Sequence, residues 1–599
     1  MDVRLERGAK WRDSRIVLLL SAVLAIHTGL LAYSAYVHSP THNEPAHLAA
    51  GVSHWELGHF DLYKVNPPLV RQIAALPVMA AGARTEWNDY FEGAATRPEF
   101  AIGDGLIAAN GERSFFLFTI ARWACIPFSW LGSIVCFLWA RDLYGPRAGL
   151  VAAVLWCFEP NILAHAALIT PDAPATALGL AACYTFWRWL RRPTWSQTLL
   201  TGVVLGVAEL SKTTLLIFYP LWPLLWIVYR LPDRATMCLR DWTREGLMLI
   251  TRLGLAVYVV NCGYGFEGSL TRLAEFRFES RMFTGKMPGE PGNRFADSWL
   301  GSLPVPVPRN YLLGIDAQKR DFENYRKASY LHGTWSPTGW WYYYFYAMAI
   351  KVPVGVLCLV LATILGKLAG QLPSKRLRDE AILLFPAIVI LTFVSSQTGF
   401  SEHMRYVLPI FPFFFIWISQ CLGSSMQSEQ IELDRGVCRT RAMPLAAAGL
   451  LIWAIGSSLC VYPHSLSYFN ELVGGPRGGH AHLLDSNLDW GQDLKYVKWW
   501  LETRLDDEPV FLAFNGPIDP IRVGIEVEPP ASVADELSLQ NLPPGWYAIS
   551  VSYLRGVPWW SRLHKGQDVA TELRVFTGFL NQKPIGTFGY SIYLYKIHR

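Results

Sequence analysis

Residues 16–47 read IVLLLSAVLAIHTGLLAYSAYVHSPTHNEPAH, an uncharged apolar run from Ile16 to Tyr36 that opens into a polar loop. About 20 apolar residues cross a hydrocarbon core roughly 30 Å thick, so the run is long enough to span a bilayer. Arg4, Arg7, Lys10, Arg12 and Arg15 precede it. A cleaved signal peptide carries an apolar region of only about 7–15 residues, so this one reads as a retained anchor with its N-terminus in the cytoplasm. The loop from His42 to Arg71 is then the first segment outside the membrane, and the chain is read outward from it.

Comparable segments recur near 114–138, 148–165, 172–190, 196–210, 213–230, 246–263, 342–366, 381–397, 406–423 and 444–461. With the first run they make about eleven spans, and the fold class is an α-helical polytopic membrane protein. Charge supports the alternation, because connections expected in the cytoplasm carry Arg141 and Arg147, Arg191 and Arg192, Arg234, Arg240 and Arg244, Lys375, Arg376 and Arg378, and Arg435, Arg439 and Arg441. The composition agrees: of 599 residues 52% are hydrophobic and only 17% charged, which excludes an ordinary soluble chain. The other side receives the loops 37–113 and 264–341, short connections near Asp172 and Lys212, the turn around His403 and Arg405, and a tail. The expected location is the inner membrane of the cell.

The tail divides from the membrane unit by composition, giving a transmembrane domain over 1–462 and an extracytoplasmic domain over 463–599. It contains β-branched or alternating stretches at Pro509–Phe514, Trp546–Tyr553 and Ser591–Ile597, parted by Pro-Pro and Pro-Gly turns, with a helix expected over Gln492–Glu502. A small α/β module is expected.

Polar groups at the edge of a bilayer are costly and ask for a reason. In this topology Glu44, His47, Asp172, Glu209, Lys212 and Arg405 lie at outer ends or in outer loops, and Arg122 and Lys351 lie about eight residues, roughly 12 Å, inward from the outer ends of their helices. Carboxylates and cations gathered at an outer face suit a sugar carried on a polyprenyl phosphate. The tail stays in lipid, Lys or Arg offsets the phosphate, and a carboxylate accepts the proton of an acceptor hydroxyl as it attacks the anomeric carbon.

The motifs also resemble a known group. Asn43-Glu44-Pro-Ala-His47, Gly58-His-Phe-Asp-Leu, Asn66-Pro-Pro-Leu, Thr170-Pro-Asp172, Glu209-Leu-Ser-Lys212 and Arg405-Tyr-Val-Leu-Pro, in that order, are similar to the GT-C superfamily of lipid-carrier-dependent glycosyltransferases, which includes protein O-mannosyltransferases and lipid A aminoarabinose transferases. Gly339-Trp-Trp-Tyr-Tyr-Tyr-Phe, Lys351-Val-Pro, Tyr468-Phe-Asn-Glu-Leu and Asp485-Ser-Asn-Leu-Asp-Trp-Gly-Gln-Asp-Leu resemble bacterial members of the same group. The resemblance implies a hexosyltransferase-like membrane enzyme of the cell envelope, with a polyprenyl-phosphate-linked sugar as donor, a protein, lipid or glycan as acceptor, and inversion at the anomeric carbon. In that family the first outer loop begins Asp-Glu with the Asp as base. Asn43 stands here instead, and a neutral amide is no general base. The catalytic candidates are therefore Glu44 and Asp172, with Asn43 at the family's base position. Asn66 likewise stands where the aminoarabinose transferases carry Lys, so Lys64 and Arg71, with Lys212, Lys351 and Arg405, are the candidates for the lipid phosphate.

Structural readings compete at several positions. Glu44 before Pro45 also suits the first turn of a helix, Asp172 after Pro171 is an ordinary helix start, and Lys212 has Glu209 three residues before it. His42, Glu44 and His47 could bind a metal, but a lone Glu-x-x-His lacks a partner set, so neither metal nor cofactor is expected. Asp485, Asp489 and Asp493 recur every four residues and read as one acidic helical face forming a solvated or hydrogen-bonded cap. No phosphate-cradling Gly-Lys-Ser loop or dinucleotide fingerprint is present, and no nucleic-acid partner is expected. A lipid or solute transporter or flippase and a catalytically inactive GT-C-like scaffold are the rival readings; the first calls for internal repeats, and Asn43 favours the second.

Overall fold

The computed structural model describes residues 14–87, 97–324, 328–372, 377–398, 401–423, 442–528, 530, 542–557 and 576–598. The basic residues Arg4, Arg7, Lys10, Arg12, Lys375, Arg376, Arg435, Arg439 and Arg441 fall outside these. The chain is mostly helical, and each apolar segment read from the sequence lies on helix. Among the described residues six helical stretches are long and apolar enough to cross a membrane, or eight if each of two bent pairs is one span, which makes the chain an integral membrane protein.

The bent pairs correct the expectation of straight spans at 148–165 and 342–366. The first breaks by 62° between Pro146–Phe158 and Pro160–Ala166, the second by 110° between Tyr343–Lys351 and Val354–Leu368. Proline explains both positions, since Pro160 and Pro353 cannot donate to the preceding turn and push the residue before them out of helical geometry. At the first break Glu159 becomes the N-cap, accepting from Ile162 N at 2.8 Å. Lys351 thus ends a short helix at a sharp turn rather than lying partway along a span.

The segments expected outside the membrane touch one another. Ser39 N donates to Gln492 O (2.8 Å) and His42 N to Trp490 O (3.1 Å), tying the first loop to the tail. Phe60 N donates to Glu267 Oε2 at 3.1 Å, joining the two long loops, and Met404 N donates to Asn487 Oδ1 at 3.0 Å. Residues expected inside cluster too, with Tyr184 bonded to Asp142, Trp187 to Asp379 and Arg378 to Asp233.

In the second long loop β1 (Ser329–Leu331) and β2 (Thr334–Ser336) form a small antiparallel hairpin. The tail builds a four-stranded sheet from β3 (Val510–Ala513), β4 (Gly545–Ser550), β5 (Gly586–Phe588) and β6 (Ile592–Ile597) in the order β3-β4-β6-β5; only β3 and β4 run parallel. The helix Leu494–Thr503 packs on it through Trp500, whose ring lies 5.5 Å from Trp546 and 5.4 Å from Phe588. Leu512, Ala548, Ile592 and Leu594 share one apolar core with Val70, Ala74 and Phe118, so the sheet is seated on the helices of the first loop and the helix Ser114–Tyr144.

Candidate functional site

Two buried charge clusters lie under the junction of the first loop with the tail, and they do different things. In the first, Glu44 opens the helix Glu44–Glu56 and is fully buried. Arg122 donates to it twice, Nε to Oε1 at 2.8 Å and Nη2 to Oε2 at 2.6 Å. Arg122 also reaches the carbonyls of Ala35, His38 and Ser39 at 2.8–3.0 Å, which uses all five of its N–H groups. Thr41 N and Oγ1 and Ile169 N donate to the remaining lone pairs of Glu44. A carboxylate so fully engaged holds the end of the first helix, the turn after it and the approach to Asp172 in register. It has no lone pair left for a substrate proton or for a metal bound with His42 and His47.

The second cluster is less complete. Asp172 is the first residue of the helix Asp172–Arg191, where the free N–H groups of the first turn favour a negative charge. Lys212 Nζ donates to Asp172 Oδ1 at 2.6 Å, and Arg405 Nε lies 3.9 Å from Oδ2. Lys212 follows the helix Trp195–Glu209, and Arg405 lies in the 3-10 turn Met404–Ile410, so three separate stretches converge. Glu209 turns away to accept from Tyr219 at 3.3 Å, so the local Glu209–Lys212 pair gives way to the long-range one. The Arg405 guanidinium stacks over Trp490 at 4.1 Å, which brings the tail over the site.

Unspent donors lie beside this pair and across His47 from it. Arg405 Nη1 is buried and has no hydrogen-bond partner among the described residues, and the same holds for Nε and Nη1 of Arg71. Arg71 gives Nη2 to Asn66 O and lies 5.2 Å over the Tyr63 ring. Its helix, Leu69–Ala80, comes close to Glu44–Glu56 because Gly51 has no Cβ; one would meet Arg71 O at 2.2 Å. His47 packs against Tyr63 at a tilt of 37° with centroids 4.3 Å apart, and Arg71, Asp172, Arg405 and Arg97 all act on it electrostatically. Burial, with Arg71 next in effect, pushes the imidazole well below its usual range, so His47 is neutral. Buried N–H groups without acceptors are costly, and cationic ones suit an anion.

The other candidates separate from this centre. Lys351 donates to Leu466 O at 2.8 Å and Asn487 O at 2.6 Å and lies over Phe469, which makes it a strut between the bent helix pair and the tail. Asn43 is half-buried at the N-cap and makes no capping hydrogen bond. Lys64 is half-buried on the loop between the first two outer helices. Asp485, Asp489 and Asp493 do not form one acidic helical face: Asp485 sits in a 3-10 turn at φ 57°, Asp489 is buried against Ser552 and Asn515, and Asp493 is buried at the head of Leu494–Thr503.

Tyr63 was not singled out in the sequence, and Tyr406 and Trp490 stood there only as members of motifs, without a place beside the site. His165 could have been found, as an ionisable residue within an apolar run; it is buried, lies in electrostatic reach of Asp172 and leaves Nδ1 unpaired among the described residues.

No curated protein matches the chain. Among solved structures it is similar to ArnT from Cupriavidus metallidurans bound to undecaprenyl phosphate, at 12% identity and TM-score 0.43 over 96% of this chain and 97% of that one. It is also similar to the oligosaccharyltransferase AglB from Archaeoglobus fulgidus in complex with an inhibitory peptide and a dolichol-phosphate, at 12% identity and TM-score 0.43 over 91% and 71%. Residues 115–250 match the family of dolichyl-phosphate-mannose-protein mannosyltransferases, and that segment holds Arg122, Asp172 and Lys212. Over this segment, less than a quarter of the chain, the match supports the resemblance to GT-C glycosyltransferases read from the motifs.

Proposed function

We propose that the protein is a membrane glycosyltransferase that moves a sugar from a polyprenyl-phosphate donor to an acceptor hydroxyl on the extracytoplasmic side, with inversion at the anomeric carbon. The observation that carries this reading is the carboxylate Asp172 held by Lys212 and approached by Arg405, with Arg405 Nη1 and, across His47, Arg71 Nε and Nη1 buried without an acceptor among the described residues. The donor phosphate binds to those groups and competes with Asp172 for Lys212. The carboxylate so released accepts the proton of the acceptor hydroxyl as its oxygen bonds the anomeric carbon, and the bond from that carbon to the phosphate oxygen breaks, with polyprenyl phosphate leaving with the electron pair.

In this reading the eleven helical segments all enter the bilayer, two of them as bent pairs rather than straight spans, 463–599 is an extracytoplasmic domain that closes over the site through Trp490, and the N-terminus is cytoplasmic. Asp172 takes the role that Asn43 cannot, while Glu44, Arg122 and Lys351 hold the frame. Lys64 stands at the edge as a further phosphate contact. No cofactor enters the reaction. Reconstitution with a radiolabelled polyprenyl-phosphate sugar tests it. Transfer to an acceptor hydroxyl supports the reading, whereas movement of the donor across the bilayer without transfer identifies a flippase, and neither leaves a scaffold.

A further inference from the structure

Away from the Asp172 cluster, His38, His464 and Asp493 meet where the end of the first helix, the turn after Ala442–Val461 and the head of Leu494–Thr503 come together. Their facing atoms form a near-equilateral triangle: His38 Nε2 to His464 Nδ1 is 3.3 Å, His464 Nδ1 to Asp493 Oδ1 is 3.4 Å, and His38 Nε2 to Asp493 Oδ1 is 3.7 Å. Zinc bonds of about 2.0–2.1 Å in tetrahedral geometry set neighbouring donor atoms about 3.3–3.4 Å apart. A triangle with the observed sides has a point about 2.0 Å from all three corners.

Proton counting shows why the group calls for a cation. His38 Nδ1 lies 2.9 Å from Ser34 O, a carbonyl that can only accept, so the ring proton is on Nδ1 and Nε2 presents a lone pair. Asp493 Oδ1 presents another; it is fully buried, and among the described residues it makes no hydrogen bond beyond the long approach of His464 Nδ1 at 3.4 Å. His464 Nδ1 carries at most one proton and can direct it at one of these atoms, which leaves the other lone pair facing a lone pair.

The surroundings are those of a ligand set. The bond from His38 Nδ1 to a backbone carbonyl fixes the ring that would bind through Nε2, and Ser591 Oγ fixes the carboxylate by donating to Asp493 Oδ2 at 2.7 Å. Gly589 admits the carboxylate, because a Cβ there would lie 2.2 Å from Oδ2. His464 also lines a cavity of about 530 Å³ with Tyr496, Trp499 and Tyr590.

We infer that His38, His464 and Asp493 form a divalent metal site of the zinc class, with two imidazoles and one carboxylate as ligands and the fourth position open. The ion joins the outer end of the first helix to the tail, and it lies apart from the residues assigned to transfer, so the site stands whether or not the transfer reading does.

The test uses the full-length protein in detergent, stripped with a chelator and titrated with Zn²⁺ against a chromophoric competitor. One equivalent binds per chain, and Co²⁺ in its place gives the intense visible absorption of a tetrahedral site. Asp493→Asn and His464→Gln each lose that binding, while Ser591→Ala, which removes only the group that orients the carboxylate, weakens it about 10- to 100-fold. Folding of each variant is read by size-exclusion chromatography; should one not fold, the wild-type cobalt spectrum and Ser591→Ala decide. Absence of stoichiometric binding, or binding unchanged in folded variants, overturns the assignment. The second result would place the ion at another group such as Glu402, His403 and Asp485.

Discussion

Replacing Glu44 with glutamine separates a structural carboxylate from a catalytic one. Oε1 receives Arg122 Nε and Ile169 N, and Oε2 receives Thr41 N, Thr41 Oγ1 and Arg122 Nη2. The Thr41 hydroxyl can turn to accept, but in either orientation the new amide NH₂ faces two donors that cannot reverse. Each buried donor left unsatisfied costs about 1–3 kcal/mol, and breaking a buried ion pair from one side costs about 3–5 kcal/mol. The expected loss is therefore about 3–5 kcal/mol. The assay is the fraction of protein that stays monodisperse after heating in detergent, measured beside transfer by the folded fraction at low temperature. Glu44→Gln should lower the midpoint markedly while turnover per folded molecule falls less than about tenfold, against the 10²–10⁴ expected for a general base. A midpoint equal to wild type together with loss of transfer would refute the reasoning and make Glu44 the base.

Three further outcomes are expected. Lys351→Met should lower thermal stability, because it leaves the carbonyls of Leu466 and Asn487 without their buried donor, and should leave the donor KM unchanged; the reverse pattern would return Lys351 to the phosphate. Lys212→Ala and Arg405→Ala should each raise the donor KM, and an unaltered KM in both would reject their phosphate role. Burial pushes the Asp489 carboxyl up to about 7, so the unfolded chain releases that proton at lower pH than the folded one does. Stability of the tail should fall as pH rises from about 4 to about 7, and Asp489→Asn should flatten that slope when unfolding is followed by tryptophan fluorescence.

Hydropathy located the long apolar helices because apolar length is a local property, but it did not place Leu69–Ala80, Pro98–Asn110 or Arg309–Glu323 in the outer loops, and averaging over a window hides single residues. Pro160 and Pro353 mark both sharp bends, and each was absorbed into a run that looked continuous. The short strands β1, β2 and β5 were missed because three residues carry too little pattern to separate from a turn. Asp172, Lys212 and Arg405 stood out because ionisable groups beside apolar runs are few. Their grouping was not legible, since Lys212 prefers a partner 40 positions away to Glu209 at three. Glu44 was singled out for its motif, yet its partner Arg122 lies 78 positions on, in a helix whose pattern shows only an isolated cation. For Asp485, Asp489 and Asp493 the fourfold spacing was misleading, because Asp485 is in left-handed geometry and a turn at Gly491 breaks the periodicity.

The central claim is that the Asp172 carboxylate takes the acceptor proton, and it is tested most directly by Asp172→Asn in proteoliposomes with a radiolabelled polyprenyl-phosphate sugar. Asparagine keeps the shape and can still accept from Lys212, so the protein should fold and bind donor. Transfer should fall by 10²–10⁴. Transfer at the wild-type rate by the folded variant would contradict the account.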